Sequence, residues 1–115
     1  SMDIKGKVAV ITGAASGIGR AAAAELYKQG VSGLALVDVS EAVVEVANSL
    51  NAEHGGKVAR AFRGDTTDAT FRHEVFETMR HQFGPINICV PAAGITRDAL
   101  AVKMNKEKGK ANLYP

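Results

Sequence analysis

The chain of 115 residues is bounded to one domain at most, and with 46% hydrophobic residues it has enough apolar material for a core. Its formal charge of +2 is spread over interspersed Lys, Arg, Asp and Glu with only 5% aromatics, so no basic face marks a nucleic-acid surface. The single Cys89 leaves no disulfide framework and no Cys-x-x-Cys metal site, and no apolar run approaches the roughly 18 residues of a membrane span.

These features predict a soluble, intracellular protein of a reducing compartment, the cytoplasm or another such as the mitochondrial matrix. Neither nucleic acid nor membrane is expected as a partner. Ser1-Met2 reads as a remnant of tag removal, and Ser1 is set aside from the fold reasoning.

In chain order, the first element is the apolar run Val8-Ala9-Val10-Ile11, which predicts a strand. Thr12-Gly13-Ala14-Ala15-Ser16-Gly17-Ile18-Gly19 follows, then a segment from Arg20 to Gln29 rich in helix formers and stopped at Gly30. A strand, a glycine-crowded turn and a helix in that order place free backbone N–H groups at a helix start, where an anion is stabilised. Gly13 permits the tight exit from the strand. Gly17 removes a Cβ where a pyrophosphate must approach the backbone, and Gly19 lets the helix pack closely on the strand. A plain tight turn and a methyltransferase loop are the competing readings, and the spacing G-x-x-x-G-x-G between strand and helix disfavours both.

This stretch resembles the short-chain dehydrogenase/reductase family, whose hallmark is a T-G-x-x-x-G-x-G loop directly after the first strand. The resemblance implies a doubly wound, Rossmann-like parallel sheet and a nicotinamide dinucleotide held at Gly13, Ser16, Gly17, Ile18 and Gly19.

Leu34-Ala35-Leu36-Val37 predicts a second, buried strand closing on Asp38, nineteen positions beyond Gly19. A carboxylate there accepts hydrogen bonds from the adenosine ribose hydroxyls and repels a 2′-phosphate. Val39 stands beside it in the same site. No Arg or Lys occupies residues 13–19 or 39–44, so nothing offsets the repulsion, and NAD is expected over NADP. The other reading of Asp38 is a turn or capping residue near Ser40.

Ser40 is expected to cap a helix whose apolar positions Val43, Val46, Ala47 and Leu50 follow helical spacing and which ends before His54-Gly55-Gly56, with His54 a solvated loop residue. Residues 58–63 alternate apolar and charged, predicting an edge strand with one wet face. Asp65 and Thr66 then match in type the acidic turn after the third strand of the resembled family, where an Asp side chain and the next backbone N–H contact adenine. Thr67 or Asp68 is expected to cap the next helix.

That helix, residues 69–83, carries Phe71, Val75, Met79 and Phe83 at intervals of four with Phe76 beside them, which predicts core. His73 and His81 fall on other faces and read as surface residues, not metal ligands. Gly84-Pro85 stops the helix and residues 86–90 predict a fourth strand, with Cys89 a small buried hydrophobe. Strands alternating with helices argue for a parallel sheet.

Pro91-Ala92-Ala93-Gly94 stands where the resembled family has N-N-A-G, and residues 93–98 resemble the same stretch in 3-oxoacyl-carrier-protein reductases. Ala92, Ala93 and Gly94 are thereby expected along the nicotinamide ribose, where small side chains let the backbone approach. The family Asn ties neighbouring backbone together, and Ala92 in its place removes that tie. Arg97 and Asp98 read as a local ion pair, and the lysines from Lys103 to Lys110 as a solvated face.

In the resembled family a Tyr acid, a Lys four residues on, a Ser and an Asn carry out hydride transfer. A phenol acts near neutral pH only where a neighbouring cation favours its phenolate. The only tyrosines are Tyr27 and Tyr114, and no Tyr-x-x-x-Lys pair exists.

The resemblance therefore covers the amino-terminal half of the family domain, residues 1–115 being one NAD-binding half domain with strand order 3-2-1-4 and an unpaired fourth strand. Such a half sheet is expected to be unstable alone, oligomeric, or part of a longer chain. The expected function is that of an NAD-dependent oxidoreductase interconverting alcohol and ketone, with 3-oxoacyl or 3-hydroxyacyl thioesters suggested by residues 93–98, and with the full-length form a homo-oligomer. The alternative is a truncated, non-catalytic NAD-binding or interaction module.

Overall fold

The computed structural model describes residues 3–93. The order is β1 (Val8–Thr12), α1 (Gly17–Lys28), β2 (Gly33–Asp38), α2 (Ala42–His54), β3 (Ala59–Arg63), α3 (Ala69–Gln82) and β4 (Ile88–Pro91). Each crossover passes through a helix, so neighbouring strands run parallel. The sheet order is β3-β2-β1-β4, as expected, with Val10 opposite both Ala35 and Cys89 and Leu36 opposite Ala61.

Alternation along the strands feeds two cores. Ala9, Ile11, Leu34 and Leu36 point to the face covered by α1 and α2, where Leu26 and Val43 are fully buried. Val8, Val10, Ala35 and Val37 point the other way, onto Val75 and Met79 of α3. Helices on both faces make the sheet doubly wound. β1 and β2 at its centre are buried on both sides, which explains their unbroken apolar runs.

Two polar side chains, Tyr27 and Asn51, fasten α1, α2 and β3. The Tyr27 hydroxyl donates to Asn51 Oδ1 at 2.9 Å, the Asn51 amide donates to Ala59 O at 2.9 Å, and the Ala59 N–H donates back to Asn51 Oδ1 at 3.0 Å. His54, expected in a loop, is instead the last residue of α2, its ring stacked on Tyr27 with centroids 4.4 Å apart. Helical geometry carries α2 one residue further because Gly55 takes the left-handed cap conformation, with φ +67°.

Two further expectations are corrected. Phe76 is 47% exposed and lies outside the core, since α3 buries only the line through Val75 and Met79. Phe71 and Phe83 are partly buried, each ring seated over a glycine: a Cβ on Gly64 would meet the Phe71 ring at 2.4 Å and one on Gly33 the Phe83 ring at 2.5 Å. Cys89 is exposed, because it faces the α3 side at β4, which among the described residues pairs only with β1.

Helix starts follow side-chain chemistry. Asp68 caps α3 by accepting from the N–H groups of Thr70 and Phe71 at 2.9 and 3.3 Å. At α2 the first residue outside the helix is Glu41, which makes no side-chain cap, and Ser40 Oγ takes the Ala42 N–H at 3.2 Å. No helix among the described residues is long and apolar enough to cross a membrane.

Candidate functional site

The loops leaving β1, β2 and β3 meet at the carboxyl end of the sheet, where side chains at the strand ends are no longer covered by helices. They enclose a cleft of about 180 Å³. Thr12, Gly13 and Ala93 form one wall, Val37 to Val39 the middle, and Gly64 to Thr66 the other wall. Crevices of this kind, at the reversal of strand order, are where open parallel sheets bind ligands.

The glycine loop is built from backbone bonds with one open end. Gly13 turns the chain with φ +71°, and a Cβ there would stand 3.2 Å from the Ala93 nitrogen. The Ser16 hydroxyl donates to Gly13 O at 2.7 Å and accepts the Gly19 N–H at 3.0 Å, which makes Ser16 the cap of α1. The Ser16 N–H donates to Gly13 O and the Ala14 N–H to Val37 O. The N–H groups of Gly17 and Ile18 take no acceptor among the described residues, and they begin a helix whose dipole favours an anion. Ile18 turns its side chain into the core, leaving only backbone at this point, and Gly17 is exposed.

Gly19 is needed for a different contact from the one expected. A Cβ there would fall 2.2 Å from Gly13 O and 2.7 Å from Ala14 Cα, so the helix start closes on its own loop.

Asp38 ends β2 with its carboxylate already oriented. Oδ2 accepts the Ala15 N–H at 2.9 Å and Oδ1 accepts the Ser40 N–H at 2.9 Å. Both readings of this residue hold together: the Ser40 contact is a local turn, while the Ala15 contact fastens the glycine loop. Each oxygen keeps a second lone pair for an incoming hydroxyl. Val39 is 65% exposed beside it.

The absence of a cation near Asp38, expected from residues 13–19 and 39–44, is corrected by tertiary structure. Arg20 Nε donates to Ala15 O at 3.3 Å, and Arg63 Nε donates to Val39 O at 3.2 Å. Arg63 is the register partner of Asp38 on the neighbouring strand. Neither fell within the sequence windows that bear on the question; a β2–β3 register places Arg63, and no spacing rule does. Each guanidinium also meets a glutamate, Arg20 with Glu45 of α2 at 3.4 Å and Arg63 with Glu41, the residue before α2, at 3.7 Å.

On the far wall Asp65 Oδ1 accepts both the N–H and the hydroxyl of Thr67, at 2.9 and 2.8 Å. These two bonds, the backbone one first, hold its carboxyl below the ordinary carboxylate range. Thr66 turns its carbonyl to Arg72 Nη1 at 2.8 Å. Ala92 is buried in the core and offers the cleft no side chain, and its N–H is spent on Thr12 O at 2.9 Å; the next residue, Ala93, is exposed. Gly94, Arg97, Asp98 and the lysine-bearing segment lie outside the described residues.

The set fits the adenosine side of a dinucleotide: a backbone anion site with no Cβ at Gly17, a hydroxyl acceptor at Asp38, and a polar turn at Asp65. A volume near 180 Å³ is below the roughly 300 Å³ at which sites for whole drug-sized ligands begin. Among the described residues no group of three or more His, Cys, Asp or Glu side chains forms a metal site.

The family model "short chain dehydrogenase" matches residues 7–113. The chain is 40% identical over 109 residues to the 2,3-dihydro-2,3-dihydroxybenzoate dehydrogenase of Bacillus subtilis, covering 94% of this chain and 41% of that protein. It is 34% identical over 107 residues to the 3-oxoacyl-(acyl-carrier-protein) reductase of Escherichia coli, covering 93% of this chain and 42% of that protein. The chain thus spans about two fifths of the length of these curated relatives.

Among solved structures, a short chain dehydrogenase/reductase from Burkholderia phymatum in complex with NAD matches with TM-score 0.71 and 32% identity, over 78% of this chain and 31% of that one. The L-sorbose reductase of Gluconobacter frateurii, complexed with NADPH and L-sorbose, matches with TM-score 0.68 and 37% identity, over 77% of this chain and 34% of that one.

Proposed function

The chain belongs to the short chain dehydrogenase family, a family of oxidoreductases, and from that premise we propose that it is the NAD-binding part of an oxidoreductase that interconverts an alcohol and a ketone. The observation that carries the cofactor reading is the Asp38 carboxylate, fixed by two backbone N–H groups at the cleft. A ribose 2′-hydroxyl donates to such a group, and a 2′-phosphate is repelled by it.

The roles follow along the cleft. The N–H groups of Gly17 and Ile18 hold the pyrophosphate, with Gly13, Ser16 and Gly19 giving the loop its shape. Asp38 and Val39 hold the adenosine ribose, Asp65 and the Thr66 N–H the adenine edge, and the backbone of Ala92, Ala93 and Gly94 the nicotinamide ribose. Bound there, the nicotinamide would supply or take up the hydride, and the protein supplies orientation and electrostatics.

Similarity to the Escherichia coli reductase supports 3-oxoacyl or 3-hydroxyacyl thioesters as the substrate class. No Tyr-x-x-x-Lys pair falls within the 115 residues, so no residue here is given the role of proton donor to the carbonyl oxygen. A second reading, an NAD-binding or interaction module without catalysis, is supported only by Ala92 standing where the family Asn ties neighbouring backbone together. Of the longer form we propose a homo-oligomer in a reducing compartment such as the cytoplasm.

Dissociation constants for NADH and NADPH test the cofactor reading. NADH is expected to bind at least about tenfold more tightly, the size of one lost charge-assisted contact plus repulsion. Equal affinity removes the assignment. Turnover of an acetoacetyl thioester with NADH by the longest natural form supports the substrate class, and no turnover of any acyl thioester removes it.

A further inference from the structure

Asp38 lines the cleft at the proposed ribose position, and its neighbour across the β2–β3 ladder carries the opposite charge. Arg63 pairs with Asp38 in register, its Nε donates to the carbonyl of Val39, and its Nη1 lies 3.7 Å from Glu41 Oε2. Val39 and Asp38 both line the cleft. The bond to the Val39 carbonyl holds the guanidinium beside two residues that line the cleft, Asp38 and Val39. Glu41 competes for the same charge from the first turn of the α2 approach.

We propose that Arg63 is a second specificity-determining residue for the cofactor, acting against Asp38, and that Glu41 is a positioning residue that competes with the cofactor for the Arg63 charge. The proposal rests on the NAD reading of the cleft. Asp38 repels a 2′-phosphate, Arg63 would attract it, and the Arg63–Glu41 pair decides how much of that attraction is felt. Both partners are solvent-exposed, with side-chain exposures of 60% and 84%, so the pair shifts the balance and does not reverse it. Screening by salt weakens it further.

The test is calorimetric titration of the 115-residue chain with NADH and with NADPH at low salt, for the wild type, Glu41→Gln, Arg63→Gln, the double variant and Asp38→Asn. The readout is the ratio of the NADPH to the NADH dissociation constant. Glu41→Gln is expected to lower that ratio about threefold, an exposed pair's worth, and Arg63→Gln to raise it by a similar factor. In the Arg63→Gln background, Glu41→Gln is expected to change nothing, because Glu41 acts through Arg63.

A ratio unmoved by Glu41→Gln and Arg63→Gln, with Asp38→Asn still lowering it, overturns this proposal and leaves the NAD reading standing. A fall caused by Glu41→Gln even without Arg63 also overturns it, since Glu41 then repels the phosphate directly. A ratio unmoved by Asp38→Asn removes the NAD reading itself.

Discussion

The Asp38 carboxylate accepts the Ala15 N–H at 2.9 Å, joining the end of β2 to the glycine loop across 23 positions of sequence. One side chain therefore both shapes the anion site and presents an acceptor to the ribose. Asp38→Ala leaves the Ala15 and Ser40 N–H groups without this partner and is expected to cost about 1–2 kcal/mol of stability. NADH affinity should fall about tenfold or more beside that loss. Thermal unfolding with and without NADH measures both; an unchanged midpoint and unchanged affinity contradict the dual role.

Gly17 and Gly19 separate binding from folding. Gly19→Ala drives a Cβ to 2.2 Å from a backbone oxygen, and overpacking against backbone is expected to cost about 3 kcal/mol. Gly17→Ala is a different case: Gly17 is exposed, it is not among the glycines of positive φ, and Ala is the better helix former there. Its melting midpoint should hold or rise while NADH affinity falls. If both variants lose stability equally, the division between the two glycines is wrong.

Acid acts through the Asp65 turn. Because the Thr67 N–H and hydroxyl bond the ionised carboxyl, its folded pKa lies below the ordinary 3.8. A depressed pKa gives stability that is present above the unfolded value and is lost as pH falls through the folded one. The difference in melting midpoint between wild type and Asp65→Asn should therefore be constant from pH 5 to 7 and shrink below about pH 4. A difference that stays level down to pH 3 sinks this account of the turn.

Partial desolvation at the sheet face pushes the Cys89 thiol up, although the residue is exposed. Iodoacetamide should reach it yet react slowly at pH 7, accelerating steeply above pH 9 as thiolate forms. Mass spectrometry of a labelling time course checks this; labelling at pH 7 as fast as that of a small-molecule thiol would contradict it.

Much of this was legible in the sequence because period and punctuation are local. The apolar runs at Val8 and Leu34, the glycines at 13, 17 and 19 and the stop at Gly30 each carry their own physical reason, and together they predict strand order 3-2-1-4. Interactions between distant segments were less legible. Phe71, Phe76 and Phe83 look alike at helical spacing, and only the seats at Gly64 and Gly33 decide which two rings turn inward. Cys89 sits in an apolar run but on the face that α3 leaves open. Arg63 comes beside the cleft by cross-strand register with Asp38, a pairing that no window along the chain contains.

The most direct test of the dinucleotide site is a titration of the ¹⁵N-labelled chain with NADH, followed residue by residue in the amide spectrum. Saturable shifts are expected at Val37 to Val39 and Gly64 to Thr66, which line the cleft, and at Ser16 to Gly19, where α1 begins. Saturable shifts centred elsewhere, or a folded spectrum that NADH leaves unchanged, would contradict it.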